Sequence, residues 1–431
     1  MFAPSLNSDA VKTTSYKVVL PFYLYASFSF LIATIFLFAS SEAFLNHYFH
    51  PQILAITHIM ALGWATMIII GAGHQLVPVL IEGKLYSNKL AYASFALAAV
   101  GIPLLVHGFY FFDMNMPAKW GGRFVVFAII AYFINVVASA AESKRKNVHS
   151  VFVITATAWL LITALLGLAL VYNFTYDLLP QNSFHYFSVH AHIGIIGWFL
   201  LLVIGVASRL IPMFLISKYT NVRLLWLIFA LINGALLSYI VIFFIFPNTI
   251  SAFVSVGMVL AAAVLFIFYC HQAYKQRLRR QVDEQVRISL LSAFMLLLPI
   301  ILLFVIIALS FAASGVKSNL ILGYGFVVFF GWLTAVILGM TFKTMPFIVW
   351  NTVYRQRSAA GKTPNPKDLF DNLIFKIMGV LYLVGFTLFT FGIMDSQIIF
   401  LKSGSVFLIS TSVLYNWNVL KVFNHKAVTM P

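Results

Sequence analysis

The sequence has few charged residues and a single cysteine. Only 9% of its 431 residues are charged and 62% are hydrophobic, whereas about a quarter of a soluble protein is charged. So little charge leaves more apolar surface than water tolerates, which excludes a soluble globular fold. The lone cysteine, Cys270, excludes both a disulfide framework and a thiolate metal cluster. The chain is therefore expected to lie in a lipid bilayer.

Carboxylates are especially scarce within the apolar part of the sequence. All 11 acidic residues fall in predicted tails and loops or at the ends of apolar segments. A proton or sodium relay in the middle of a membrane needs such a group inside a span. This absence argues against ion-coupled solute transport as the function. The sequence also contains no phosphate-binding loop, nucleophile triad or dinucleotide fingerprint.

Long apolar runs divide the chain into twelve candidate membrane-spanning helices. Runs of about 20 residues are long enough to cross the hydrocarbon core. They lie near 18–41, 51–81, 90–112, 124–141, 150–172, 185–216, 224–246, 250–270, 288–314, 319–349, 372–394 and 398–418. The first run is too long for the core of a cleavable signal peptide, so no cleaved leader is expected. The predicted fold class is an all-α polytopic membrane protein.

The basic residues are distributed unevenly between the two predicted membrane faces. Twelve spans place both termini on one face, and that face receives all but four of the 27 Lys and Arg residues. The four on the opposite face are Lys119, Arg123, Lys317 and Lys402. Positive charge is retained in the cytoplasm. The bias therefore predicts cytoplasmic termini in a bacterial inner membrane, and it explains the net charge of +16 without a nucleic-acid partner.

A short motif recurs three times at an interval of 134 residues. A Gly-Trp pair is followed by glycine seven residues after the tryptophan and by proline fourteen residues after it. The tryptophans are Trp64, Trp198 and Trp332. The motif predicts one membrane domain, 1–431, of three units near 17–147, 148–283 and 284–424. Each unit has an even number of spans, so the repeat is parallel and predicts three pseudo-symmetric arcs of four helices.

Histidines concentrate towards the non-cytoplasmic ends of the spans. His58 and His192 each stand six residues before the recurring tryptophan, where the third unit has Phe326. Imidazole inside a span is costly and is a common ligand of haem iron and copper. We therefore predict that His58 and His192 bind one prosthetic group between the second and sixth spans. An interhelical hydrogen bond is the alternative role for such a histidine.

Two further histidines complete the predicted ligand set. His190 and His192 are separated by about 200° around a regular helix, so they face different flanks of the sixth span. His190 is accordingly predicted to serve a second haem or a copper ion on the other flank. His107, at the outer end of the third span, is a further candidate metal ligand, with interhelical hydrogen bonding as its alternative role.

Twelve helices in three arcs, with histidines in the outer half of a long second helix, resemble subunit I of the haem-copper oxidases and nitric oxide reductases. The resemblance implies a b-type haem, bound copper, further subunits and a cytochrome c-like or quinol electron donor. Of the histidines that bind cofactors in that family, only His58 lies on the corresponding helix. The seventh and tenth predicted spans have no histidine, and the His-x-His pair lies on the sixth.

These observations favour a haem-binding integral membrane redox protein that transfers electrons or reduces a small diatomic molecule. The alternative is a non-catalytic protein that handles haem, copper or nitric oxide. The NnrS family of twelve-helix haem- and copper-containing membrane proteins, which is similar in size, represents that second class. Catalytic residues are not identified from the sequence.

Overall fold

A computed structural model describes residues 14–143, 147–245, 249–278, 282–312, 317–354 and 363–427. In these ranges, twelve helices are long and apolar enough to cross a membrane. They are α1 (Tyr16–Ala39), α2 (Pro51–Leu80), α3 (Asn88–Tyr110), α4 (Met116–Glu142), α5 (Val148–Tyr176), α6 (Ser183–Leu215), α7 (Val222–Phe244), α8 (Ser251–Lys275), α9 (Glu284–Phe311), α10 (Ser318–Tyr354), α11 (Asn372–Met394) and α12 (Ile398–Phe423). The predicted fold class is confirmed. The predicted helix ends at 246 and 314 fall outside the described residues.

Several helices extend beyond the apolar runs that predicted them, and α4 does so most consequentially. It begins at Met116 rather than near 124, so its first two turns carry Lys119 and Arg123. A search for apolar runs stops at such cations, although lysine and arginine are good helix formers. Pro117 suits the first turn because its fixed φ is helical and its missing N–H has no partner there. Two cations predicted to lie in a loop therefore lie on a helix.

Three long helices occupy the centre of the molecule. These are α2, α6 and α10, with 30, 33 and 37 residues. In their most apolar stretches 67–72% of the residues are buried, compared with 22–50% in the other nine helices. At about 1.5 Å per residue they are roughly 45–55 Å long, so they exceed the hydrocarbon core and must tilt or protrude. Each is the second helix of its predicted unit.

The remaining helices surround this centre, and the first of them packs against the last. α1 contacts α12 along its length. Thr34 and Ser412 share a hydrogen bond of 2.9 Å across this junction, and the Asn416 side chain donates to the Ser27 carbonyl, also at 2.9 Å. The first and the last of the nine outer helices are therefore neighbours.

The recurring glycines allow each long helix to touch the first helix of its own unit. A Cβ atom added at Gly71 would lie 2.5 Å from a side chain of α1. At Gly205 it would lie 2.4 Å from a side chain of α5, and at Gly339 2.7 Å from one of α9. Any larger residue would force these helices apart, because real Cβ contacts do not become this short. The glycines therefore serve close helix packing.

Each long helix also contains a π-helical segment at the same position. The segments are Ile59–Thr66, Ile193–Leu200 and Val327–Leu333, and each contains the Gly-Trp pair. Most π-helical turns are isolated bulges that occur often at functional sites. The three segments begin directly after His58, His192 and Phe326, which are the three residues six positions before a recurring tryptophan.

Candidate functional site

The structure brings His58 of α2 and His190 of α6 together in one cleft. Their ring centroids are 6.3 Å apart, and their ring planes are within 15° of parallel. Both side chains are half-buried in the half of the membrane domain that contains the N-terminal ends of α2 and α6. The cavity between α2 and α6 is lined by both rings. Two imidazoles therefore face one space from neighbouring long helices.

A backbone hydrogen bond fixes the orientation of the His58 ring. Its Nδ1 lies 2.8 Å from the carbonyl oxygen of Leu54, one turn earlier in α2. Because a carbonyl only accepts hydrogen bonds, Nδ1 carries the proton and Nε2 keeps its lone pair. Metal-binding histidines are oriented in this way by a carbonyl or a carboxylate. The Nδ1 atom of His190 is buried, and the backbone of Thr163 on α5 lies close to this ring.

His192 faces the opposite flank of α6, as the angular separation of the two histidines predicts. Its ring lies 5.9 Å from Tyr324 of α10 and 5.3 Å from Tyr239 of α7, between centroids. Its Nδ1 lies 2.7 Å from the carbonyl oxygen of Ser188, so this ring also keeps a free Nε2 lone pair. The histidine that shares a cleft with His58 is therefore His190, whereas His192 lies on the other flank. The predicted assignment of these two residues to clefts is reversed.

The three clefts between the long helices follow one rule of pairing. One long helix contributes the residue six positions before its recurring tryptophan. The following long helix, with α2 following α10, contributes the residue eight positions before its own tryptophan. The first cleft pairs His58 with His190, and the second pairs His192 with Tyr324. The third pairs Phe326 with Ile56, and both line a separate cavity. Only the first cleft has imidazole on both sides.

The separation of His58 and His190 matches the distance needed for both to bind one metal ion. A metal–nitrogen bond is about 2.0–2.1 Å and an imidazole nitrogen lies about 1.2 Å from the ring centre, so two imidazoles on opposite sides of an ion have centroids about 6.4 Å apart. The observed distance is 6.3 Å. The near-parallel ring planes are compatible with this arrangement.

The composition of the donor set distinguishes between kinds of metal centre. In the described part of the chain, no group of three or more His, Cys, Asp or Glu side chains could hold a metal ion. Zinc and copper(II) sites usually need three or four protein ligands. Haem iron already has four porphyrin nitrogens, so two axial imidazoles complete it. The residues present therefore fit the iron of a haem.

Small residues surround the His58–His190 pair. The cavity wall includes Gly122, Thr163, Gly167, Ala191 and Gly194. A Cβ atom added at Gly167 would lie 2.8 Å from Cε1 of the His190 ring, so the absence of a side chain there makes room for the imidazole. The cavity measures about 150 Å³, whereas sites for organic ligands usually measure about 300–1,000 Å³. A macrocycle would need more space than the described side chains leave.

His107 is not part of this site. It is exposed, whereas Leu105 and Phe109 on the opposite face of α3 line the cavity. Its ring lies 4.8 Å from Phe111 between centroids. The structure therefore does not bring His107 to either His190 or His58.

Two kinds of residue near the site were missed by sequence reasoning. Tyr324 stands eight residues before its tryptophan, as His190 does, but nothing in the sequence assigns it to a cleft. Gly167 lies outside the recurring motif, and no sequence signal marks it as the neighbour of a histidine ring. No family model matches the chain, and no curated protein matches it in sequence.

Proposed function

We propose that this membrane protein binds a b-type haem between α2 and α6, with His58 and His190 as the two axial ligands, and transfers electrons through it. The observation that carries the proposal is the parallel pair of imidazoles with centroids 6.3 Å apart. The resemblance to subunit I of the haem-copper oxidases and nitric oxide reductases supports it. A haem bound here would supply a one-electron redox couple.

The residues of the cleft have separate roles in this proposal. The hydrogen bond from His58 Nδ1 to the Leu54 carbonyl orients the ring and makes Nε2 a stronger donor. Apolar wall residues such as Leu105 and Phe109 would keep water away from a bound metal. If both histidines held the iron of a haem, the iron would have no open site for a diatomic molecule. Electron transfer is therefore favoured over reduction of oxygen or nitric oxide at this haem.

The test is the haem content of purified protein expressed with an ample haem supply. We expect wild type to show a Soret band and a low-spin spectrum, with a b-type pyridine haemochrome. The substitutions His58→Ala and His190→Ala should each abolish the low-spin spectrum, and added imidazole should partly restore it. His192→Ala is the matched control, because that ring lies in the second cleft. Full low-spin haem in both ligand variants would refute the assignment.

A copper ion bound by the same two histidines, with fewer protein ligands than copper(II) sites usually have, is the second candidate, in a non-catalytic copper- or nitric oxide-handling protein similar to the NnrS family. The cavity of about 150 Å³ favours it, because an ion needs no rearrangement of the wall. Metal analysis separates the two candidates. Stoichiometric copper without a Soret band would support copper handling, and stoichiometric iron with a haemochrome would support the haem.

For the cellular setting, we propose a bacterial inner membrane with both termini in the cytoplasm. In this orientation the His58–His190 cleft lies near the outer face. A cytochrome c-like protein or a quinol would then be the electron donor, and further subunits could cover the outer helices. The uneven distribution of lysine and arginine supports this orientation.

A further inference from the structure

Two cations lie on α4, the helix whose Gly122 lines the cleft, at the same end of the helices as the histidines. Lys119 and Arg123 are in the first two turns of α4, on either side of Gly122, which lines the cavity. Lys119 is only 8% exposed. They are two of the four basic residues on the membrane face opposite the predicted cytoplasmic face. Half of that scarce positive charge therefore lies on a helix that contributes to the wall of the candidate site, although neither cation itself lines the cavity.

Neither cation has a carboxylate partner in the described part of the chain. The Nζ atom of Lys119 has one weak contact, 3.5 Å from Oδ1 of Asn115, and lies 4.3 Å from the ring centroid of Tyr176. Arg123 donates from Nε to the hydroxyl of Tyr172 at 2.7 Å. The ion pairs found among these residues use other cations.

A buried ammonium group without an anion is costly, because the protein replaces little of its hydration. The tyrosine rings and the single amide oxygen offset only part of this cost. An anionic ligand in the neighbouring cleft would provide the missing partner. Charge-assisted hydrogen bonds from Lys119 and Arg123 would then bind its acid groups.

We infer that the cleft takes a carboxylate-bearing ligand, whose acid groups lie against Lys119 and Arg123 at the histidine end of α4. This inference rests on the proposed function, since the carboxylates would be the propionates of the haem held by His58 and His190. It fixes the direction of the macrocycle, with its acidic edge towards the membrane surface. It also separates an organic cofactor from a bare metal ion, which has no acid groups.

The experiment titrates the haem-free full chain, in nanodiscs of neutral lipid, with haem and with haem dimethyl ester. Both porphyrins have the same iron, but the ester lacks the carboxylates. We expect wild type to bind haem about tenfold more tightly than the ester, followed by the Soret shift. Lys119→Gln and Arg123→Gln should lose this preference by weakening haem binding and leaving ester binding unchanged.

Three variants serve as controls for charge and folding. Lys119→Arg keeps the charge and should retain the preference for haem. Lys317→Gln and Lys402→Gln each remove an exposed cation from the same membrane face and should bind both porphyrins as wild type does.

The outcomes separate this inference from the proposed function. If wild type binds haem and its ester equally, with the low-spin spectrum, the haem proposal survives and the inference fails. If wild type binds neither porphyrin, both fail. If Lys119→Gln weakens haem binding only in nanodiscs that contain anionic lipid, the partner of Lys119 is a lipid headgroup. That result also overturns the inference.

Discussion

Gly167 illustrates how a single residue without a side chain can shape a ligand site. It lies on α5, and a Cβ atom added there would meet the edge of the His190 ring of α6. The imidazole occupies the volume that any other residue would fill. The position of His190 in the cleft therefore depends on a residue that binds nothing itself.

We predict that Gly167→Ala weakens haem binding about tenfold, in the range seen when groups that orient a ligand are changed. The new Cβ would lie 2.8 Å from Cε1 of His190 and would displace the ring from its position in the cleft. Haem titration of the purified variant measures the effect.

The matched control for this substitution is Gly257→Ala on α8. A Cβ atom at that position would meet nothing within 4 Å. Both substitutions raise helix propensity equally, so a difference between them reports the contact with His190. Equal haem affinity in the two variants would contradict the argument.

At the scale of residues, the sequence predicted the participants in the site but not their pairing. His58 and His192 hold equivalent positions in the repeat, and equal depth favoured their pairing. In a ring, however, each helix has one face towards the following helix and a different face towards the preceding helix. The two helices that form a cleft therefore contribute different faces to it. Equivalent residues therefore enter different clefts. This is why His58 meets His190, while His192 meets Tyr324.

The long helices are also joined to one another through their π-helical segments. The indole of Trp64 donates to Thr334 of α10 at 3.1 Å, and the indole of Trp198 donates to Thr66 of α2 at the same distance. Both threonines stand two residues after a recurring tryptophan. The corresponding residue of the second unit is Leu200, which has no hydroxyl group. The links between long helices thus differ around the ring.

We predict that Thr334→Val lowers the free energy of unfolding by about 0.6 kcal/mol and at most about 1.7 kcal/mol, the range for hydrogen bonds between membrane helices. The substitution removes the acceptor of the Trp64 indole and leaves that N–H buried. Reversible unfolding in mixed detergent measures the change.

Thr390→Val is the control for the loss of Thr334. Both threonines donate to a carbonyl of their own helix, at 2.7 Å in each case, but only Thr334 also accepts a bond from another helix. A smaller effect of Thr390→Val is expected. Equal destabilisation would show that the Trp64 bond contributes nothing.

Sequence reasoning worked well for the helices and failed for their internal geometry. Apolar runs located all twelve helices, because transfer from water to lipid dominates their energetics. Hydropathy does not register which carbonyl an amide bonds to, so the π-helical segments left no signal of their own. Hydropathy also placed the beginning of α4 too late, near residue 124, because Lys119 and Arg123 interrupt the apolar run although the backbone there is helical.

For the whole molecule, the distribution of charge sets the orientation that we propose. Described loops on the predicted cytoplasmic side carry exposed cations such as Lys84. The short connection between α11 and α12 contains Asp395 and no cation. Part of the basic charge, including Lys12, the Lys144–Lys146 run, Arg279, Arg280, Arg355, Arg357 and Lys362, falls outside the described residues.

We predict that a membrane-impermeant maleimide labels Asp395→Cys in intact spheroplasts and labels Lys84→Cys only after the membrane is permeabilised. The native Cys270 is buried and unpaired, so Cys270→Ala provides a background without thiols. The reverse labelling pattern would invert the proposed orientation and place the His58–His190 cleft near the cytoplasm.

The pairing rule has a consequence for how such a molecule diversifies. Each four-helix unit supplies half of two clefts and the whole of none, so an isolated unit would have no complete ligand set. A cyclic trimer of identical chains would be obliged to carry three identical clefts. Joining the units in one polypeptide removes that obligation. Each cleft can then have its own chemistry. The first has two imidazoles, His58 and His190, and the second has an imidazole and a phenol, His192 and Tyr324. The third is lined by two hydrocarbon side chains, Phe326 and Ile56.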